Sequence, residues 1–490
     1  MLSKVVKLYK DHIAGERSHT GILAINLSAN MLQQVINQLF SFIVFLVLSY
    51  TLDKAAFGQI NWALAFFLTA FNILSCGIDQ LVIRKTASGE NAPAVLSLHM
   101  MHVLVSGGLF YALLLLCKWW VPIAPATYNL LLLLGIGKLA IFFSTPFKQV
   151  ATGLEKFHIV AYMSVCSNVL RGITLILFSL LHWISLTQVV VIFAISDLAE
   201  LLLCGVLSNR LLQVPLHLQW QATAYLRLLK EALPQMGVVI LMSVLSRFDW
   251  LYIGLMVSDK KLAEYSFAYK IFELSTFPLL VIAPLLIPRF TKFVVNPAGY
   301  DTSLFASFLK TEMLLAALIL LVSNCWWCPV MDAITNGKYG SVNSTTYWLL
   351  SLSTPFLYLN NFLWTIQFAK GHLTTIFSIT VITCIVNVSA NVLLIHFYGN
   401  EGAAMAFLLA TIVQSLLYAG KSESFLAGNR FYPVWGCALI ALLPGLATQL
   451  FAAYPFTVCI TAIVICYLIL SISGYLRKKE FRNALRLLKQ

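Results

Sequence analysis

The chain has 490 residues, 60% hydrophobic and 10% charged, with a net charge of +13. Soluble domains keep roughly 25% charged residues, so a water-facing globule of this size is excluded. The apolar residues fall in blocks of about 20, the length that spans hydrocarbon at about 1.5 Å per residue, and the chain reads as an all-α integral membrane protein.

Residues 1–20 are polar and basic, without an apolar core ending in a cleavage site, so the first hydrophobic segment is expected to stay as an anchor. Apolar runs bounded by charge, Gly, Pro or Asn predict about fourteen spans. They cover 24–49, 57–80, 93–117, 127–147, 157–181, 186–208, 234–257, 263–288, 304–325, 345–369, 373–397, 402–420, 432–452 and 455–476. The connections are short and leave no room for a folded domain outside the membrane. Between spans six and seven, Trp220, Leu226, Leu229 and Leu233 recur near helical spacing with Arg227 and Lys230 between them. That pattern predicts an amphipathic helix lying in the interface. The expected organisation is a six-helix bundle over 1–210, this linker over 211–233, a second six-helix bundle over 234–420, and two further helices with a basic tail over 421–490.

Orientation follows from the 32 Lys and Arg residues. The N-terminus, the even-numbered loops and the tail hold 23, the odd-numbered loops hold five, and four lie inside spans. Such a bias predicts both termini in the cytoplasm of a cytoplasmic (inner) membrane protein. It also accounts for the positive net charge through anionic lipid, with no nucleic-acid partner.

The two halves share motifs. Span one leads into Phe57-Gly58-Gln59-Ile60-Asn61 with Arg84 after it, and span seven into Leu262-Ala263-Glu264-Tyr265-Ser266 with Arg289 after it. Gln149-Val150-Ala151-Thr152-Gly153 and Gln367-Phe368-Ala369-Lys370-Gly371 both read QxAxG at the turn after the fourth span of their half. Six spans is an even number, so repeats of this kind keep one orientation and form a parallel repeat.

Thr51 to Gln59, Gly77-Ile78-Asp79 with Arg84, Gln149 to Phe157, Pro234 to Arg247, and Asp249 to Tyr265 resemble the polysaccharide (O-antigen type) flippase family. That family belongs to the multidrug/oligosaccharidyl-lipid/polysaccharide exporter superfamily, with the multidrug MATE exporters and the lipid II flippases. The resemblance implies two bundles around a central cavity, working by alternating access. It further implies a polyprenyl-diphosphate-linked oligosaccharide as cargo, with a polysaccharide polymerase and chain-length proteins as expected partners. One departure stands out, since many members have twelve spans, and the uncharged first span argues against the lipid II flippase subgroup, which carries charged residues there.

Four cations sit inside spans: Lys138, Arg171, Arg247 and Lys270. Each costs about 2.5–3.5 kcal/mol at a helix centre, which is kept only where the group faces a cavity, finds a partner or has a function. A diphosphate needs such donors, Arg as a fork and Lys as a point charge. The competing reading is pairing with Asp197, Glu200, Asp249 or Glu273. Lys270 and Glu273 are i, i+3 and can pair, Arg247 and Asp249 point apart, and Asp197 and Glu200 share a face open to cations from neighbouring helices. Amides such as Asn30 and Gln34 in the first span are candidates for sugar contacts, or for hydrogen bonds between helices. Asp249 and Glu273 are candidates for carrying a coupling ion.

No HExxH, GxSxG, phosphate-binding loop or Cys/His cluster occurs, so no metal, cofactor or enzymatic role is expected. His99 and His102 read as packed residues. Two other functions stay open: a cation-coupled small-molecule exporter, and a membrane glycan polymerase or ligase.

Overall fold

The computed structural model describes residues 19–120, 125–219, 221–279, 286–287, 289–291 and 302–422. Among these residues the regular structure is helical, with no strand. The helices are α1 His19–Thr51, α2 Lys54–Leu74, α3 Ile78–Ala87, α4 Ala92–Leu116, α5 Pro125–Gly153, α6 Phe157–Leu180 and α7 Leu186–Arg210. They continue with α8 Ala222–Met256, α9 Asp259–Ser275, α10 Thr302–Thr335, α11 Ser344–Ser351, α12 Thr354–Ala369 and α13 Leu373–Lys421. Nine of the described helices are long and apolar enough to cross a membrane, and the chain is a multi-pass membrane protein. Among these α13 counts once, although Gly399 (φ 57°, ψ −125°) breaks it between the spans expected at 373–397 and 402–420. The spans expected at 432–452 and 455–476 lie outside the described residues.

Three elements differ from the hydropathy reading. The second span stops at Leu74 because Cys76 (φ 49°) and Gly77 (φ 72°) turn the chain before α3. A Cβ on Gly77 would lie 2.9 Å from Gln235, so both the left-handed backbone and the close approach require glycine there. The tenth span divides into α11 and α12, with Pro355 opening the second piece. The third difference is the linker. Pro234 was expected to separate an interfacial helix from the seventh span, yet it sits inside one continuous helix, α8. Tertiary packing outweighs the loss of one backbone bond there, because Leu228 and Ala232 are buried in the core. Leu226 and Leu233, expected on the apolar face, are exposed, and Trp220 lies outside the described residues.

The chain clusters into two compact units, Met1–Leu52 with Phe66–Ile240, and Asp53–Ala65 with Leu241–Gln490. The division falls within α8 rather than before it, and the start of α2 belongs to the second unit. Unit one is built on Val82, Leu96, Val103, Val150, Met163 and Cys204 with their neighbours. Lys85 ties α3 to α8 through Glu231 at 3.0 Å and also pairs with Glu90. Burial draws its ammonium down, but the two carboxylates outweigh this and leave it above the ordinary lysine value. His99 and His102 are packed in this unit: His99 lies 3.2 Å from Asp79, and His102 contacts Tyr225 and the Leu74 carbonyl.

Unit two has a core around Phe290, Phe305, Tyr358, Phe362 and Tyr418. Here the repeat shows itself directly. Asn61 donates to Ser266 at 3.1 Å, a pair separated by 205 residues, which is also the offset between Phe57 and Leu262 and between Arg84 and Arg289. The same offset carries Lys54 to Asp259 and Gln59 to Glu264. Lys54 bonds Glu264 at 2.7 Å and Gln59 bonds Asp259 at 3.0 Å, so these contacts are one contact and its repeat-exchanged copy.

Candidate functional site

In unit one, α7 presents two carboxylates one turn apart, Asp197 and Glu200, both buried. Asp197 accepts Lys138 Nζ from α5 at 2.6 Å and Arg171 Nη2 from α6. The approach of α5 to α7 depends on Gly137, where a Cβ would lie 2.9 Å from the Ala194 backbone and 3.0 Å from Asp197. Arg171 lies over the Phe193 ring at 4.2 Å and also bonds Asn168, which in turn bonds Asn37 of α1. Asp197 is fully buried, whereas Lys138 and Arg171 keep 14% and 11% of their side-chain surface. The cations are therefore the accessible part of the cluster. Glu200 accepts Lys148 and Ser167.

In unit two, Glu273 on α9 accepts Arg247 from α8 at 3.0 Å and Lys270 from its own helix at 2.9 Å. The i, i+3 pair expected from the sequence forms, but its carboxylate is shared with Arg247. Arg247 and Asp249 do not pair; Asp249 accepts Tyr265 Oη at 2.6 Å and the Trp250 amide at 2.9 Å. Trp250 and Tyr269 face the Arg247 guanidinium at 4.5 and 5.5 Å.

Both clusters have one composition: two cations on one carboxylate, backed by aromatic rings. Each trio carries one positive charge more than its shared acid neutralises, and in unit two Asp249 is a further acid beside Arg247. The four cations thus form ion pairs, yet pairing does not use up their charge. An anion with two negative charges is a suitable ligand for such groups, because it can replace a shared carboxylate.

Gln34 is an exposed residue of α1, and Asn30 lies on α1 with its side chain outside the described residues. The sequence reading missed Lys148 as the partner of Glu200, having counted it as a loop cation. It also missed Glu312 on α10, although that residue falls within the expected span 304–325.

The family model described as "Polysaccharide biosynthesis protein" matches residues 23–294, more than half of the chain. The chain belongs to the polysaccharide biosynthesis protein family. This agrees with the expected membership of the polysaccharide flippase group. Solved structures of similar fold agree with an all-α membrane architecture. A lipid II flippase MurJ in an inward closed conformation is 14% identical with a TM-score of 0.70, covering 92% of this chain and 99% of its own. An inward-facing MATE multidrug resistance transporter is 11% identical with a TM-score of 0.65, covering 81% and 98%. A Vibrio cholerae MATE transporter, VcmN, is 13% identical with a TM-score of 0.53, covering 83% and 100%. A sequence comparison with curated proteins finds no match.

Proposed function

We propose that this protein is a flippase that carries a polyprenyl-diphosphate-linked oligosaccharide across the cytoplasmic membrane by alternating access. The observation that supports this reading is the pair of clusters in which two cations share one carboxylate. A diphosphate that engages Arg171 and Lys138, or Arg247 and Lys270, competes with Asp197 or Glu273 for the same donors. An exporter of organic cations would meet excess positive charge in both clusters, which disfavours its cargo.

The same competition suggests a coupling route. Glu273 is held by two cations until an anion takes them, and the released carboxylate is then free to bind a proton or sodium ion. Asp249, bonded by Tyr265, is the second candidate for that role.

The test measures glycan display at the cell surface together with membrane abundance. Loss of one charge-assisted contact costs on the order of 1.5–3 kcal/mol, a loss of transport of roughly ten- to a hundredfold. Arg171→Ala and Arg247→Ala should show that loss at near-normal abundance, with Arg→Lys intermediate because charge survives while the fork does not. Normal display from a well-expressed Arg171→Ala, Arg247→Ala double variant would refute the mechanism in which these cations grip an anionic cargo.

A further inference from the structure

Glu312 on α10 is a buried carboxylate outside the two ion-pair clusters. It is 2% exposed, and neither carboxylate oxygen has a hydrogen-bond partner. Its neighbours one turn to either side on the helix, Phe308, Leu309 and Ala316, and the adjacent Met313 are all buried in the apolar core of unit two. Across from it on α12 stand Tyr358, Leu359 and Phe362 of the same core. The polar side chain directed at Glu312 is the amide of Asn361, whose Nδ2 also lacks a partner.

An ionised carboxylate in these surroundings would be uncompensated, and a lone buried charge neutralises instead of remaining ionised. Among the described residues, the titratable groups of the packed elements give the Glu312 oxygens no hydrogen-bonded counter-charge. Tyr358 Oη on α12 donates to the Ser275 carbonyl at 2.8 Å. Tyr418 on α13 is buried in the same core. On α9, Lys270 is bonded to Glu273, and neither Arg289 nor Lys310 hydrogen-bonds the Glu312 oxygens. A metal cation would need several oxygen ligands, whereas one carboxyl and one amide converge here.

We propose that Glu312 is a proton-binding site, holding its proton as a neutral acid in this conformation and exchanging it with water when the packing of α10 against α12 loosens. The ligand is the proton alone: the carboxylate oxygen takes it up as an O–H bond, and the same bond breaks to return it to water. This site is separate from the Asp249 and Glu273 route and does not depend on the identity of the cargo.

The experiment is infrared spectroscopy of the full chain in lipid nanodiscs across a pH series, in light and heavy water. Wild type should show a protonated-carboxyl band at neutral pH that shifts in heavy water, fades at alkaline pH and is missing from Glu312→Gln. Asn361→Ala removes the facing donor, so its Glu312 band should persist to higher pH than in wild type; this arm keeps the proposal testable if Glu312→Gln fails to fold. A protonated-carboxyl region unchanged between wild type and Glu312→Gln would mean that Glu312 is ionised, and the proposal fails. A band insensitive to pH and to heavy water would mean a permanently closed structural acid, and it fails equally. Neither result bears on glycan transport through the cation clusters.

Discussion

At the scale of single residues, sequence spacing revealed which charges could meet along one helix and could not reveal which would meet across helices. Lys270 with Glu273 was legible because i, i+3 positions share a face, and so was the divergence of Arg247 from Asp249. The sharing of Glu273 by Arg247, and of Asp197 by Lys138 and Arg171, depends on how α5, α6, α8 and α9 are packed, which spacing does not encode. Lys148 escaped because hydropathy placed it beyond the end of its span, whereas α5 runs on to Gly153 and lets the long side chain reach Glu200. Removing a carboxylate should be costlier than removing a cation. Asp197→Ala leaves Arg171 and the partly buried Lys138 without their carboxylate, and breaking a buried pair in this way costs up to about 3–5 kcal/mol. Membrane abundance and thermal unfolding in detergent should therefore fall sharply for Asp197→Ala, and Lys138→Met added to it should recover part of the loss. If Asp197→Ala is as stable as wild type, the cluster does not stabilise the fold.

At the scale of elements, the periodic apolar runs located most helices, because a membrane span must satisfy its own backbone and so be continuous. The breaks were harder to read. Cys76-Gly77 looked like span interior, and Pro234 looked like a helix start although the helix passes through it. The repeat was legible as two weak motifs, and the exchange of Lys54–Glu264 with Gln59–Asp259 makes it physical. Gly58 lies at the centre of that contact, where a Cβ would sit 1.9 Å from the Asp259 carbonyl oxygen. Backbone cannot yield as a flexible side chain can, so Gly58→Ala should force α2 away from α9 at a cost of about 1–3 kcal/mol. Gly108, inside α4 with nothing within 4 Å of a Cβ, is the control. Gly108→Ala should be neutral or stabilising by up to about 1 kcal/mol from helix propensity. Thermal unfolding of the two purified variants decides this, and equal midpoints would show that the α2–α9 contact is loose.

At the scale of the whole molecule, charge counting reaches what hydropathy alone does not, because basic loops resist translocation wherever the helices later pack. The boundary between the two units was not legible, since it follows contacts and falls inside α2 and α8. The sidedness of the loops has a structural counterpart within unit two. Lys54, after the first span, lies over the ring of Tyr339, after the ninth, and Asn400, after the eleventh, donates to the Lys261 carbonyl, after the seventh. Odd-numbered turns thus meet one another, as an alternating path through a bilayer requires. At the other end, Gln367, in the last turn of the tenth span, bonds the Lys421 carbonyl and Ser422, after the twelfth. Which end faces the cytoplasm then rests on the 23 to five distribution of basic residues. Single cysteines introduced into a chain whose ten native cysteines are replaced report this directly, through an impermeant thiol reagent applied to intact cells. Lys118 and Lys338 are suitable odd-side positions. Lys156 and Lys421 represent the even side. Labelling of Lys118→Cys and Lys338→Cys in intact cells, with Lys156→Cys and Lys421→Cys labelled only after the membrane is opened, is the expected pattern. The reverse pattern would invert the molecule and with it the direction of export, because cargo made on the cytoplasmic face would then meet the protein from its opposite side.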